Sequence, residues 1–332
     1  MPLNRGLRTA NLAKKAEFYT QLSVIEEELK HYKSYFKNKI VYCNCDDPRA
    51  SNFFHYFSYN FEKLGLKKLI TSCYKNQNRD LFSQNKSEKA IYLEYEGDKN
   101  KNKVPDVEEI GVKNLVSDGD FRSEECIKIL KKSDIVVTNP PFFLFREYVS
   151  QLIKYKKKFL IIGNMNAISY REIFKLLKEN KIWLGASIKS GDREFGVPKD
   201  YPLKASGFRT DKHGNKYIRV KGVRWFTNLE ISKRYENLEL YSKYSSKKYK
   251  KFDNYKAINV DKTIDIPINY KGLMGVPISF MDKYNPKQFE IVDGIGRYSM
   301  LHGPTKATRG KYLTEIKGKK IYARIIIRHK KL

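Results

Sequence analysis

Short apolar runs alternate with stretches of helical spacing along the first half of the chain. Runs rich in β-branched residues predict buried strands, and apolar residues repeated every three or four positions predict helices. The predicted strands are 39–44, 67–73, 91–95, 134–138, 158–163 and 181–185. The predicted helices are 50–64, 123–132, 142–155 and 169–179, after a first helix with apolar Val24, Ile25, Leu29, Tyr32 and Phe36. Thr20 or Ser23 is the expected cap of that first helix. The alternation predicts an α/β fold with a doubly wound, mostly parallel sheet.

The texture of the chain changes near residue 190, where loops rich in glycine, proline, lysine and tyrosine replace long apolar runs. Segments 217–220 and 223–226 flank Lys221-Gly222 and predict a two-strand ribbon near the sheet edge. We therefore expect a basic arm at 1–15, an α/β domain at 16–189 and a further region at 190–332. The strands near 217–226 are candidates to complete the sheet of the α/β domain.

The strand at 134–138 ends abruptly in Asn139-Pro140-Pro141-Phe142. Prolines cannot continue a central strand, and ligands of open α/β sheets bind at the carboxyl ends of the strands. The exocyclic amino group of a base has two hydrogens, and the side-chain oxygen of Asn139 with the carbonyl of Pro140 supplies two acceptors. Phe142 is suited to stack on the base. The alternative is an ordinary loop with Phe142 in the core.

Two acidic turns lie at the ends of other predicted elements. One follows the first strand, and the other precedes the helix at 123–132. Asp46 and Asp47 follow the first strand, and Asp118 and Asp120 precede Phe121. Carboxylates at strand ends are acceptors for the hydroxyl and amino groups of a nucleoside, and Phe121 is suited to pack on an adenine. Each aspartate taken alone is better explained by turn formation or helix capping than by contact with a ligand.

Charge adds a partner to this picture. Lys and Arg number 66 against 37 Asp and Glu, which gives a net charge of +29. Such a balance indicates a polyanion, most often nucleic acid. The alternative is a lysine-rich composition inherited from an AT-rich genome, with the lysines simply solvated.

Other features narrow the class of protein. No apolar run approaches the roughly 20 residues of a membrane span, and no signal-peptide pattern is seen, so we expect a cytoplasmic protein. The four cysteines form no C-x-x-C pair and the histidines are scattered, so no metal site is expected.

The strings Asn139-Pro140-Pro141-Phe142, 17–21 and 41–49 together resemble DNA adenine N6-methyltransferases, in particular the EcoRI type of modification methylase. The resemblance implies a Rossmann-like fold that binds S-adenosylmethionine, a catalytic tetrad at 139–142 and a carboxyl-terminal target-recognition region. It implies that the following residues bind the cofactor: Phe18, Tyr19, Thr20, Asn44, Asp46, Asp47, Asp118, Asp120 and Phe121. The chain departs from most methyltransferases in lacking a glycine-rich first turn and an acidic residue after the second strand, which ends in Ser72-Cys73-Tyr74.

The implied reaction is methyl transfer to N6 of an adenine flipped out of double-stranded DNA, within a type II restriction-modification system. If the resemblance extends to specificity, the site is GAATTC. A monomer is expected, with a cognate restriction endonuclease encoded nearby. Candidate DNA contacts are Arg193, Arg209, Arg219 and Arg224 for guanine edges or phosphates, and Lys247 and Lys248 for phosphates. Alternatives are a methyltransferase of RNA bases or of protein glutamine, and a non-enzymatic nucleic-acid-binding protein.

Overall fold

The computed structural model describes residues 19–45, 51–74, 90–102, 105, 110–187, 192–197, 207–253, 255–295 and 315–330. Contacts divide the chain into two compact units. The first comprises Met1–Met165 and Gly185–Leu229, and the second comprises Asn166–Leu184 and Glu230–Leu332. The division therefore does not fall at residue 190, because strands after that position pair with strands of the first unit. The expected arm at 1–15 lies outside the described residues.

The first unit contains five helices and eleven strands among its described residues. The helices are α1 (Leu22–Leu29), α2 (Asn52–Tyr59), α3 (Phe61–Leu64), α4 (Glu124–Lys132) and α5 (Phe145–Lys154). The strands are β1 (Tyr19–Thr20), β2 (Ile40–Asn44), β3 (Lys68–Ser72), β4 (Ile91–Tyr95), β5 (Gly111–Asn114), β6 (Ile135–Thr138) and β7 (Lys158–Asn164). After a segment of the second unit, which contributes α6 (Arg171–Lys178) and β8 (Trp183–Leu184), they continue with β9 (Asp192–Val197), β10 (Phe208–Thr210), β11 (Lys216–Lys221) and β12 (Val223–Thr227).

The main sheet of the first unit has the strand order β5-β4-β3-β2-β6-β7-β12. Its central strands β3, β2, β6 and β7 are parallel, and β4, β5 and β12 run antiparallel to their neighbours. The central strands are almost entirely buried, which is why they are continuous apolar runs in the sequence. The predicted Rossmann-like α/β fold is confirmed.

Polar residues set the ends of several elements. The Asp134 carboxylate accepts a hydrogen bond from the backbone N–H of Ile40 at 2.8 Å and thereby joins the starts of β2 and β6. Ser123 caps α4, as its hydroxyl accepts from the backbone N–H of Cys126 at 3.2 Å. The expected cap of α1 is wrong: the helix begins after Gln21, and Thr20 belongs to β1.

The predicted ribbon at 217–226 is also wrong. Gly222 has a φ of +71°, and the strands on its two sides enter different sheets. Strand β12 pairs with β7 in the main sheet, whereas β11 lies between β9 and β10 in a small antiparallel sheet that begins with β1. The sequence pattern could not distinguish these outcomes, because a glycine between two apolar runs is compatible with either.

The second unit contains α6, β8 and a small sheet. Its further strands are β13 (Ile258–Asn259), β14 (Met274–Pro277), β15 (Phe289–Ile295), β16 (Glu315–Ile316), β17 (Lys319–Lys320) and β18 (Arg324–His329). Strands β13, β14, β18 and β15 form one sheet in that order, and β16 pairs with β17. Across the described parts of both units, no helix combines the length and apolarity needed to cross a membrane.

Candidate active site

The carboxyl ends of β2, β3 and β6 form one edge of the main sheet. Asn44 is paired in register with Ser72, and Thr138 ends the strand on the other side of β2. The tetrad follows Thr138 directly. Asn139 is only 7% exposed and Pro140 is buried, whereas Pro141 and Phe142 are partly exposed. The tetrad therefore begins in the buried interior, at the carboxyl end of β6, and ends at the surface.

Local backbone chemistry explains this course. The prolines have no N–H to extend β6. The chain turns instead into a short 3-10 helix, Phe142–Leu144, in which the N–H of Leu144 donates to the carbonyl of Pro141 at 3.0 Å. Helix α5 follows at Phe145. The tetrad is thus held between a buried strand and a helix, as the sequence predicts.

Buried hydrogen bonds connect the end of β2 to the elements on either side of the tetrad. The hydroxyl of Thr138 donates to the backbone carbonyl of Asn44, and the phenol of Tyr148 on α5 donates to the side-chain Oδ1 of Asn44. All three residues are buried. Burial raises the pKa of Tyr148 well above its ordinary value, so the phenol keeps its proton. These bonds therefore join Asn44, a predicted cofactor residue, to the strand before the tetrad and to the helix after it.

The acidic turn at Asp118-Gly119-Asp120-Phe121 packs against the same edge. Gly119 has a φ of +80°, and a Cβ there would lie 2.2 Å from the carbonyl oxygen of Cys73, just after β3. The Phe121 ring meets the Tyr148 ring edge-on at 5.0 Å, and Gln151 Nε2 donates to the Phe121 carbonyl at 3.0 Å. The structure thus brings Phe121 beside Tyr148, the residue that bonds to Asn44.

The carboxylates of this turn have partners within the chain. Asp120 accepts from the backbone N–H of Arg122 at 2.8 Å, from its Nε at 2.9 Å and from its Nη2 at 2.7 Å. Burial favours a higher pKa for Asp120, but the bonds from Arg122 outweigh it and lower the pKa. Asp118 accepts from the N–H of Asp120 at 3.0 Å. Both aspartates build the turn, and their contact with a nucleoside stays a prediction.

Strand β1 supplies a further polar group. Thr20 is 3% exposed, and its hydroxyl has no hydrogen-bond partner within the part of the chain that the structure describes. Its carbonyl accepts from Asn52 Nδ2 at 2.7 Å, at the start of α2. Tyr19 pairs through its backbone with Gly196. A buried hydroxyl without a partner fits a ligand at this segment, whereas the predicted Phe18, Asp46 and Asp47 lie outside the described residues.

Three of the predicted DNA contacts lie in the small sheet of the first unit, and Arg224 does not. Arg193 is on β9 and Arg209 is on β10. Arg219 is on β11, opposite Glu194 of β9. Arg209 forms two bonds to Glu194, at 2.9 and 2.7 Å, and its guanidinium lies 4.4 Å from the centre of a tyrosine ring. Arg224 is on β12, only 4% exposed, and one of its nitrogens donates to the neighbouring carbonyl.

The predicted lysine contacts belong to the second unit. Lys247 and Lys248 are exposed. The ammonium of Lys248 lies 3.1 Å from Asp265 Oδ1, 3.2 Å from Ser242 Oγ and 5.2 Å from the centre of the Tyr249 ring. Hydrogen bonding to Asp265 raises the pKa of Lys248. The predicted recognition residues are thus distributed over both compact units.

The sequence does not single out Thr138 and Tyr148, the two residues whose hydroxyls bond to Asn44. Tyr148 lies within the helix predicted at 142–155, where its spacing is that of an apolar position. The available signal is weak: a hydroxyl on the buried face of that helix needs a partner, and the strand ends are the nearest polar groups.

Comparison with known proteins gives one consistent answer. Residues 6–330 match the family model of the adenine-specific methyltransferase EcoRI. The chain is 50% identical over 331 residues to the type II methyltransferase M.EcoRI of Escherichia coli, covering 99% of this chain and 98% of that protein. It is 38% identical to M.MgeORF184P of Mycoplasma genitalium, covering 97% of this chain and 98% of that protein. It is 37% identical to M.MpnI of Mycoplasma pneumoniae, covering 97% of each.

No solved structure matches the chain. The family match nevertheless spans both compact units, and the tetrad lies at the sheet edge where an α/β enzyme binds its ligands. The chain belongs to the EcoRI family of adenine-specific DNA methyltransferases.

Proposed function

We propose that this enzyme methylates N6 of adenine within GAATTC in double-stranded DNA, as the modification enzyme of a type II restriction-modification system. The identity to M.EcoRI extends over nearly the whole chain, including the parts of both units that carry the candidate DNA contacts. We further propose that it acts as a monomer, on one strand of the palindrome at a time, and that a cognate restriction endonuclease is encoded nearby.

The single observation that carries the catalytic proposal is the burial of Asn139 and Pro140 at the carboxyl edge of the main sheet. A base inside a duplex cannot reach this depth, so the target adenine must be flipped out. Asn139 Oδ1 and the carbonyl of Pro140 then accept the two hydrogens of the N6 amino group. The partly exposed ring of Phe142 stacks on the extruded base.

The chemical step is direct transfer without a covalent enzyme intermediate. S-adenosylmethionine would supply the methyl group as an electrophile: its S–C bond to the methyl group would break as the N6–C bond forms, the thioether would leave with the electron pair, and N6 would lose one proton. The two acceptors pull the amino hydrogens out of the conjugated plane, which favours the tetrahedral nitrogen that develops as the N–C bond forms. Their stabilisation is thus larger in the transition state than in the ground state.

The cofactor is proposed to lie along the same edge. Thr20 offers an unsatisfied buried hydroxyl, Asn44 a carboxamide and Phe121 an aromatic ring. The further proposed contacts are Phe18, Tyr19, Asp46, Asp47, Asp118 and Asp120. DNA contacts are proposed for Arg193, Arg209, Arg219, Arg224, Lys247 and Lys248. Because Arg224 is buried on β12, its contact requires that DNA reach that strand.

The test follows labelled methyl from S-adenosylmethionine to a duplex that contains GAATTC. We expect label on adenine N6, and much less on a duplex with one base pair of the site changed. Asn139→Ala is expected to lower the rate about 10²- to 10³-fold, the usual effect of losing one preorganised hydrogen bond, with DNA and cofactor affinities retained.

Asn139→Asp is the matched variant. It keeps a side-chain acceptor and is expected to retain more activity than Asn139→Ala. Label on RNA or on protein, with none on duplex DNA, would overturn the proposed substrate. Equal transfer to both duplexes would overturn the proposed sequence.

A further inference from the structure

One side chain, Tyr148, connects the predicted cofactor segments to the catalytic segment. Its phenol donates to Asn44 Oδ1 at the end of β2, and its ring meets the Phe121 ring of the acidic turn at 5.0 Å. Tyr148 lies on α5, which follows the tetrad, and it is completely buried. A phenylalanine would fill the same space, so the hydroxyl needs an explanation beyond packing.

The hydroxyl fixes the orientation of the Asn44 carboxamide. In the structure the phenol donates to Asn44, and only the oxygen of an amide can accept a hydrogen bond. The Asn44 oxygen is therefore turned toward α5. The second hydrogen bond at this residue, from Thr138 Oγ1 to the backbone carbonyl of Asn44, fixes the main chain from which the carboxamide projects.

We propose that Tyr148 is a positioning residue that holds Asn44 so that its Nδ2 hydrogens, and not its oxygen, face S-adenosylmethionine. Asn44 is then a donor to an oxygen of the cofactor, in its methionine carboxylate or its ribose. This proposal rests on the proposed placement of the cofactor beside Asn44. It assigns a hydrogen-bond polarity to that contact and a reason for the buried phenol.

The Tyr148 hydrogen bond is also a link between Asn44 and α5, the helix that follows the tetrad. The hydroxyl is expected to affect cofactor affinity through Asn44, because the Asn44 side-chain oxygen accepts its hydrogen bond.

The experiment measures the dissociation constant of S-adenosylmethionine by calorimetry for the full-length chain and four variants. Tyr148→Phe is expected to weaken binding about 3- to 10-fold, and Asn44→Ala about 10-fold. The double variant is expected to be no weaker than Asn44→Ala within about 2-fold, because residues that act through one contact are not additive. Asn44→Asp, which replaces the donor by an acceptor, is expected to be weaker than Asn44→Ala.

The control is Tyr32→Phe, which removes another fully buried phenol of the same unit, one that donates to Glu28 at 2.9 Å. It is expected to lower the unfolding free energy of the cofactor-free protein as Tyr148→Phe does, while cofactor affinity stays within about 2-fold. Unfolding is measured by denaturant titration, so stability and affinity are separated.

The outcomes distinguish the inference from the function on which it rests. Unchanged affinity in Asn44→Ala would overturn both the placement of the cofactor at Asn44 and the role of Tyr148. Weaker affinity in Asn44→Ala with additive losses in the double variant would leave the placement intact and overturn the role of Tyr148. Full affinity in Asn44→Asp would overturn the donor assignment alone.

Discussion

Exposure changes sharply over the four residues of the tetrad. Asn139 and Pro140 are buried, Phe142 is partly exposed, and the next residue, Phe143, is 55% exposed. A flipped base entering from solvent would meet the Phe142 ring before its amino group reached the buried acceptors. The sequence predicts that β6 ends at the tetrad, because a proline has no N–H with which to continue a central strand. It does not predict the contacts of Tyr148. The partner of a buried tyrosine hydroxyl is a residue that only the tertiary fold brings close.

Phe142 and Phe143 provide a matched test of stacking. Phe142→Leu keeps apolar volume but removes the flat π-face. We expect it to lower kcat/KM for duplex DNA about 5- to 150-fold, since stacking on a base contributes about 1 to 3 kcal/mol. Phe143→Leu, in the same 3-10 helix, is expected to cost less than about 3-fold. Single-turnover methylation measures both, and equal losses would show that Phe142 has no special contact with the base.

At the scale of elements, the sequence predicts the buried parallel strands. It does not predict how the strands on the two sides of Gly222 pair. Strands β2, β3, β6 and β7 are apolar runs because both their faces are covered. The strands that flank Gly222 differ in pattern, since β11 alternates buried and exposed residues and β12 is buried throughout, and they pair with β9 and β7 respectively. The small sheet could not be predicted from the sequence. Its first strand, β1, has only two residues and pairs with the distant β9. Gln21, which follows β1, donates to the carbonyl of Glu194 on β9, 173 positions away.

The acidic turn offers a test at this scale, with Gly119 and Gly214 as a matched pair. Both have a φ of +80°, but a Cβ at Gly119 would lie 2.2 Å from a backbone oxygen, whereas a Cβ at Gly214 would meet nothing within 4 Å. Gly214→Ala is expected to cost only backbone strain, about 1 to 2 kcal/mol of unfolding free energy. Gly119→Ala must cost more, because the turn has to move away from Cys73.

Denaturant unfolding and cofactor calorimetry of the two glycine variants check this prediction. Since the displaced turn carries Phe121, Gly119→Ala is expected to weaken S-adenosylmethionine binding, while Gly214→Ala leaves it unchanged. Similar stability losses in both variants would mean that the turn relaxes without cost. Unchanged cofactor affinity in Gly119→Ala would argue against a cofactor contact at Phe121.

At the scale of the whole molecule, the net charge of +29 favours DNA binding, and the candidate DNA contacts lie in both compact units. The sequence indicated a polyanion from total charge, but it could not tell which cations are already neutralised inside the fold. Arg209 is bonded to Glu194 and Lys248 to Asp265. Lysines and arginines so paired must exchange a carboxylate for a phosphate, so they gain less from DNA than cations whose charge is unbalanced.

The neighbouring Lys247 and Lys248 test this distinction in the second unit. Each phosphate contact that a lysine makes releases counterions, and its loss reduces the slope of log affinity against log salt by about 1. We expect this reduction in Lys247→Ala, measured by fluorescence anisotropy with duplex DNA over a range of salt concentrations. Lys248→Ala is expected to change the slope less, because its ammonium is held 3.1 Å from Asp265. Both effects should be the same on duplexes with and without GAATTC, since phosphates carry no sequence information. A loss confined to the GAATTC duplex would instead make Lys247 a base-reading residue, and an unchanged slope would remove it from the DNA interface.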